Sequence, residues 1–157
     1  MVLTPVAVSA GPPGEGKPRA AREYPTVHGN LPGPVRRQLT LGFRLAAEEI
    51  RRTPSCSALF SRFHADGVQL LAALDFEAST SAVLGDTCSR VGVTAFTTVG
   101  GRKVRLCPHF GDLEVPAAAM ILIHEVLHAA GLTERPADPH GLLPQEINRL
   151  VAVNCSR

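Results

Sequence analysis

The chain contains no tryptophan, a single tyrosine (Tyr24) and only 4% aromatic residues. A surface on which bases or sugar rings stack needs several such side chains together, so neither nucleic acid nor carbohydrate is an expected partner. No apolar run reaches the roughly 18 residues that a membrane-crossing helix requires. Neither sign of charge dominates: 16 Lys and Arg against 14 Asp and Glu leave a net charge of +2. That balance excludes a strongly basic nucleic-acid surface and an acidic disordered tail. The four cysteines, Cys56, Cys88, Cys107 and Cys155, include no Cys-x-x-Cys pair, which argues against a zinc ribbon or a thioredoxin-like redox motif. What remains is 157 residues, 45% of them hydrophobic, enough for one domain that folds around its own core without needing a metal to do so. An enzyme, an inhibitor and a binding domain all fit these limits.

An even number of widely spaced cysteines reads as two disulfides and hence an oxidising compartment. Of the three connectivities, Cys56–Cys88 with Cys107–Cys155 is expected, because each bridge then ties neighbouring segments. Each closes a loop of several tens of residues and is expected to contribute roughly 3–4 kcal/mol. Met1 to Ala10 is apolar and ends in Ala7-Val8-Ser9-Ala10, similar to a signal-peptide cleavage site, although a basic start and a longer apolar core are missing. With the cysteines, this predicts a secreted, periplasmic or cell-envelope protein.

Residues 1–34 hold seven of the thirteen prolines and five of the fourteen glycines. Such density opposes helix and sheet alike and predicts a flexible leader, with the folded domain at 35–157. From there the pattern changes. Leu39, Phe43, Ala46 and Ile50 recur at helical spacing and predict an amphipathic helix over 35–52, ended by Pro54 and bearing a solvated face of Arg36, Arg37, Arg44, Glu48, Arg51 and Arg52. A second helical region over 56–74 is divided at Gly67, and the stretch 76–91 is ambiguous. Gly92 to Val99 alternates, with Val93, Ala95, Thr97 and Val99 on one side, Gly100-Gly101 follows, and Lys103 to Cys107 is again β-prone, which predicts a hairpin ended by Pro108. Pro116 suits a helix start. The run Ala117 to Ala130 is apolar on nearly every side, so its helix is expected to be central, with Gly131 as a left-handed cap. A last helix is expected over 144–153, opened by Pro144, with Cys155 stapling its end to the hairpin.

The central helix contains His124-Glu125-Val126-Leu127-His128. Residues four apart lie one above the other on a helix, so both imidazoles point the same way and can share one metal ion. Glu125 sits one step round, where its carboxylate reaches a metal-activated water without being a ligand and serves as general base, then as proton donor to the leaving amine. Two histidines and a glutamate held only by core hydrogen bonds would be a costly burial.

The run HEVLHAAGL resembles the active-site helix of the zincin metallopeptidases. The resemblance implies a zincin-like α+β domain, one zinc ion per chain, and a third ligand downstream. Metzincins, within that group, carry this ligand ten residues after the first histidine in HExxHxxGxxH/D, the glycine turning the chain back to the metal. Here that position is Glu134, giving an HExxHxxGxxE variant, and no methionine follows to form the metzincin Met-turn. In gluzincins the third ligand is a glutamate on a separate helix, which Glu146 matches, but the aspartate usual four residues later is replaced by Leu150. Glu134 is the favoured ligand and Glu146 the second choice, followed by Asp138 and His140. The chain is also similar to small uncharacterised bacterial HExxH proteins with an LCxxF segment before the helix and a final cysteine after it.

The expectation is therefore an α+β domain, mostly helical, with a β-hairpin or small sheet packed on a buried active-site helix. Zn2+ is held by His124, His128 and Glu134, Glu125 is the catalytic base, and the substrate is a peptide or protein. A metal-containing binding domain without turnover and an amidase or toxin-like hydrolase of a non-protein amide are the alternatives. His109 is a lesser candidate for the cleft. His28, His64 and Tyr24 are expected bystanders. The strand 102–106 is the expected rim along which an extended peptide adds, with Arg105 a minor candidate for a substrate carbonyl.

Overall fold

A computed structural model of the chain describes residues 23–79 and 87–156. In chain order the elements are strand β1 (Thr26–His28), helix α1 (Gly33–Arg52), α2 (Pro54–Ser61), α3 (Gly67–Ala72), β2 (Asp75–Ala78), β3 (Ala95–Phe96), β4 (Lys103–Leu106), α4 (Val115–Ala129) and α5 (Pro144–Cys155). Short 3-10 turns at Thr87–Ser89 and Pro108–Asp112 precede β3 and α4. The architecture is α+β and mainly helical, with a four-stranded mixed sheet.

Local chemistry accounts for the helix boundaries. Proline in the first turn opens α1, α2, α4 and α5, where its missing N–H breaks no helical bond. Pro54 also holds Thr53 in an extended conformation (φ −100°, ψ 107°), which ends α1. Asp66 caps α3, its carboxylate accepting from the N–H groups of Val68 at 2.9 Å and Gln69 at 3.0 Å. The break expected at Gly67 is real, and the glycine is needed there for packing: a Cβ would stand 2.5 Å from the Phe60 ring.

The sheet order is β1-β2-β4-β3, with β1, β2 and β4 parallel and β3 antiparallel to β4. In-register Val27, Phe76 and Val104 point towards the helices, as do Ala95 and Leu106. The alternate positions carry the pairs Arg105–Glu77 at 2.9 Å, Lys103–Glu77 at 3.4 Å and His28–Asp75 at 3.2 Å. Period-2 alternation thus gives one apolar face against the helices and one charged face. The ambiguous stretch contributes the central strand β2; residues 80–86 of it lie outside the described residues.

Three expectations are corrected. The domain begins before residue 35, because β1 is the outer parallel strand and Leu31 joins the core. Tyr24 is held by Arg44, whose Nη2 donates to its hydroxyl at 2.8 Å and whose guanidinium lies 4.9 Å from the ring centroid. A three-residue edge strand uses hydrogen bonds on one side only, so flanking Pro25 and Pro32 do not prevent it. Residues 1–22 of the leader lie outside the described residues. The disulfides are Cys56–Cys155 and Cys88–Cys107, not Cys56–Cys88 and Cys107–Cys155. Helices α2 and α5 pack side by side and bring Cys56 and Cys155 together in the core, while Cys107, at the end of β4, meets the turn at Thr87–Ser89. Finally, β4 is interior, paired on both sides, so it offers no edge to a peptide, and Arg105 is engaged by Glu77. Among the described residues the sheet edge on that side is β3.

Helix α4 is the centre of the molecule, with every residue from Leu122 to His128 buried. It crosses α1 at Gly42, where an added Cβ would stand 2.9 Å from the Ala118 Cβ and 3.2 Å from the Ala118 carbonyl carbon. Gly42 is a poor helix former kept for this close approach. Gly42→Val is expected to lower stability by about 1–3 kcal/mol through overpacking, seen as a lower urea midpoint. A raised midpoint would mean that helix propensity outweighs the contact.

Candidate metal centre

The two histidines of the motif lie where helical periodicity puts them. His124 and His128 are buried one turn apart on α4, with ring centroids 4.8 Å apart and Nε2 atoms 3.0 Å apart. Beyond His128 the helix ends in a Schellman turn: Gly131, at φ 110°, donates to the His128 carbonyl at 3.0 Å, and Leu132 N–H donates to the Leu127 carbonyl at 2.9 Å. This is the left-handed cap expected at Gly131. The reversal sends the chain back over the histidines and places one Glu134 carboxylate oxygen, Oε2, at 3.2 Å from each Nε2.

A short clasp fixes Glu134. Arg135 N–H donates to the Leu142 carbonyl at 2.9 Å and Leu142 N–H to the Thr133 carbonyl at 3.2 Å. Arg135 Nε donates to the Gly141 carbonyl at 2.8 Å. Gly141 is required here, since a Cβ would lie 2.8 Å from the Glu134 nitrogen.

The opposite edge of each imidazole fixes its tautomer. His128 Nδ1 faces the Leu132 carbonyl at 2.8 Å and His124 Nδ1 faces the Asn148 side-chain oxygen at 2.7 Å. Both partners are acceptors, so each Nδ1 carries the hydrogen and each Nε2 presents a lone pair. Two imidazole nitrogens and a carboxylate oxygen therefore converge within 3.0–3.2 Å of one another with no hydrogen of their own to share. Burial, first, and the neighbouring His128 hold the His124 imidazole below its ordinary pKa, against the Asn148 and Glu134 contacts, which raise it. Three acceptors so placed are stabilised by a cation. Their spacing is close to the ~3.3–3.4 Å edge of a tetrahedron with bonds of about 2.0–2.1 Å, and imidazole with carboxylate is a donor set that zinc accepts. The residues fit a metal ion, and among the described residues this is the group able to hold one.

Glu125 is buried beside the cluster but is not part of it. It accepts a hydrogen bond from the Thr97 backbone N–H, and its Oε2 has no partner. Burial, reinforced by the nearby Glu134 charge, pushes its pKa up to about 8. The loop between β3 and β4 is pinned over this region by Gly100 N–H, which donates to the His128 carbonyl at 2.9 Å.

The second-choice ligands lie elsewhere. Glu146 caps α5, its carboxylate accepting from Leu143 N–H at 2.7 Å. Asp138 accepts from His140 N–H at 2.9 Å, which, with the Thr133 side chain, holds its carboxyl below the usual range. His140 is exposed, and His109 is bonded to the Val93 carbonyl. Sequence reasoning missed Asn148, which lies 24 residues from His124. A single asparagine on an amphipathic helix carries no signal of its own.

No protein-family profile, curated protein or solved structure matches the chain.

Proposed function

We propose that the protein is a zinc-dependent hydrolase, a metallopeptidase in which His124, His128 and Glu134 hold the metal and Glu125 handles protons. The observation that carries this reading is the convergence of three acceptor atoms next to a buried carboxyl with an unpartnered oxygen. Bound to these donors, zinc supplies Lewis acidity, which activates water and stabilises negative charge on an amide oxygen. Glu134 adds one negative charge to the donor set. Thr97 N–H holds one end of the Glu125 carboxyl and leaves Oε2 free to accept a proton from water and to return it to the departing amine. A metal kept only for structure would leave that unpartnered oxygen unexplained, which favours turnover over a non-catalytic site.

A peptide substrate is supported by the position of β3. It is the sheet edge, and its chain continues directly into Thr97, so a peptide added along Ala95–Phe96 would run past Glu125. The rim assigned to 102–106 in the sequence thus moves across the hairpin. The two disulfides fit an oxidising compartment, and a secreted or cell-envelope location is part of the proposal. No described helix is long and apolar enough to cross a membrane.

Elemental mass spectrometry on the purified protein tests the metal, with His128→Ala and Glu134→Ala alongside. One zinc per wild-type chain, lost from both variants, is the expected result. Absence of metal from the wild type after zinc has been supplied would overturn the reading. Bound zinc without cleavage of any member of a peptide library would leave a metal-binding domain and remove the peptidase.

A further inference from the structure

We infer that Asn148 is a positioning residue that selects the metal-binding tautomer of His124, so that α5, well outside the HExxH motif, sets the affinity of the site. The inference rests on the proposed metal site. His124 Nε2 faces the Glu134 carboxylate at 3.2 Å, while its Nδ1 faces the Asn148 amide oxygen at 2.7 Å. A neutral imidazole has one hydrogen to place. A carboxylate is the stronger acceptor in general, so with nothing at Nδ1 the hydrogen belongs on Nε2, bonded to Glu134. That arrangement occupies two of the three donors with each other. The closer Asn148 oxygen draws the hydrogen to Nδ1, freeing both the Nε2 lone pair and the Glu134 oxygen.

His128 obtains the same service from the Leu132 carbonyl, through the turn that follows its own helix. His124, a turn earlier, has its Nδ1 partner on another element, and α5 is firmly fixed to supply it. Glu146 caps its start, Ile147 and Val151 on either side of Asn148 are buried, and Cys155 bridges it to α2. Ser55 Oγ also donates to the Asn154 carbonyl at 2.6 Å. An amide oxygen does this without adding a further negative charge beside Glu125 and Glu134.

The test compares wild type, Asn148→Leu, Asn148→Ala and Asn148→Asp in two measurements. Zinc affinity is read by competition with a chromophoric chelator, and the His124 tautomer by nitrogen-15 NMR of the metal-free protein, with thermal unfolding to confirm folding. Asn148→Leu and Asn148→Ala are expected to bind zinc about 10–100-fold more weakly and to shift the His124 hydrogen to Nε2. Asn148→Asp, which restores an acceptor, is expected to bind zinc at least as tightly as wild type and to keep the hydrogen on Nδ1. Wild-type affinity in folded Asn148→Leu or Asn148→Ala would overturn the inference. So would weakening in Asn148→Asp equal to that in Asn148→Leu, since bulk or packing would then be the cause. If the wild type binds no zinc, the metal reading fails by itself, and the tautomer comparison still decides whether Asn148 places the hydrogen.

Discussion

Glu125→Gln is expected to retain zinc and to lose peptide hydrolysis by about 100- to 10,000-fold, the range supplied by a positioned general acid or base. The carboxyl is not among the three converging donors, so metal content should be unchanged. Glutamine can still accept from Thr97 N–H, so the fold should be intact. A variant that keeps wild-type turnover would remove Glu125 from the mechanism; one that loses zinc would make it a ligand. The same substitution has a signature in the metal-free protein. The folded-state pKa of Glu125 is about 8 against an ordinary 4.5, so between these values the folded chain holds a proton that the unfolded chain has released. Stability from this group is full below pH 4.5 and falls as pH rises towards 8. The lowered His124 pKa works the other way, adding stability as pH rises to its ordinary 6.5. Between pH 6.5 and 8 the falling limb due to Glu125 is no longer opposed by His124, and Glu125→Gln should flatten it in urea titrations. A bound dication favours the carboxylate, so zinc should remove the slope as well.

The second large effect belongs to the Cys56–Cys155 bridge. Its partners are 99 residues apart, and on loop-closure entropy its removal should cost about 4–5 kcal/mol, against about 3 kcal/mol for Cys88–Cys107, with a separation of 19. Against native stabilities of about 5–15 kcal/mol, the first loss brings the chain near the edge of folding at body temperature. Urea unfolding of the paired alanine variants Cys56→Ala/Cys155→Ala and Cys88→Ala/Cys107→Ala checks the order. Equal costs, or a larger cost for the shorter loop, would show that native packing around the cysteines rather than chain entropy sets the values. Because the long bridge also anchors α5, and α5 carries Asn148, zinc affinity should fall with Cys56→Ala/Cys155→Ala more than with the other pair.

Helix boundaries were readable because their causes are local. Pro116 and Pro144 start helices, Pro54 ends one and Gly131 closes the central one; the structure adds that Pro34 and Pro54 also open α1 and α2. The hairpin around Gly100-Gly101 followed from alternation, although its first strand is shorter than the run from Val93 to Val99. Proline and glycine counts carry the leader to residue 34 because they report average tendency, while β1 needs only three residues with one neighbour. Strand β2 is not legible in the sequence because Asp75-Phe76-Glu77-Ala78 has one large apolar residue, and its charged residues find partners only across the sheet, Glu77 with Lys103 and Arg105 on β4 and Asp75 with His28 on β1.

Local sequence relations bring the candidate ligands within reach of one another: His124 and His128 are aligned by helical periodicity, and the glycine turn after His128 brings Glu134 back towards them six residues on. They leave Glu134 and Glu146 both open as the third ligand, because the clasp that fixes Glu134 runs through Gly141 and Leu142 and the cap that engages Glu146 belongs to α5. The disulfide partners, the choice of Glu134 over Glu146 beside the histidines, the position of β3 at the edge of the described sheet and the approach of Asn148 to His124 follow from tertiary packing alone. These depend on which helices lie side by side and in what order the strands pair, and the same alternation and periodicity are compatible with several such arrangements until the core around α4 is packed.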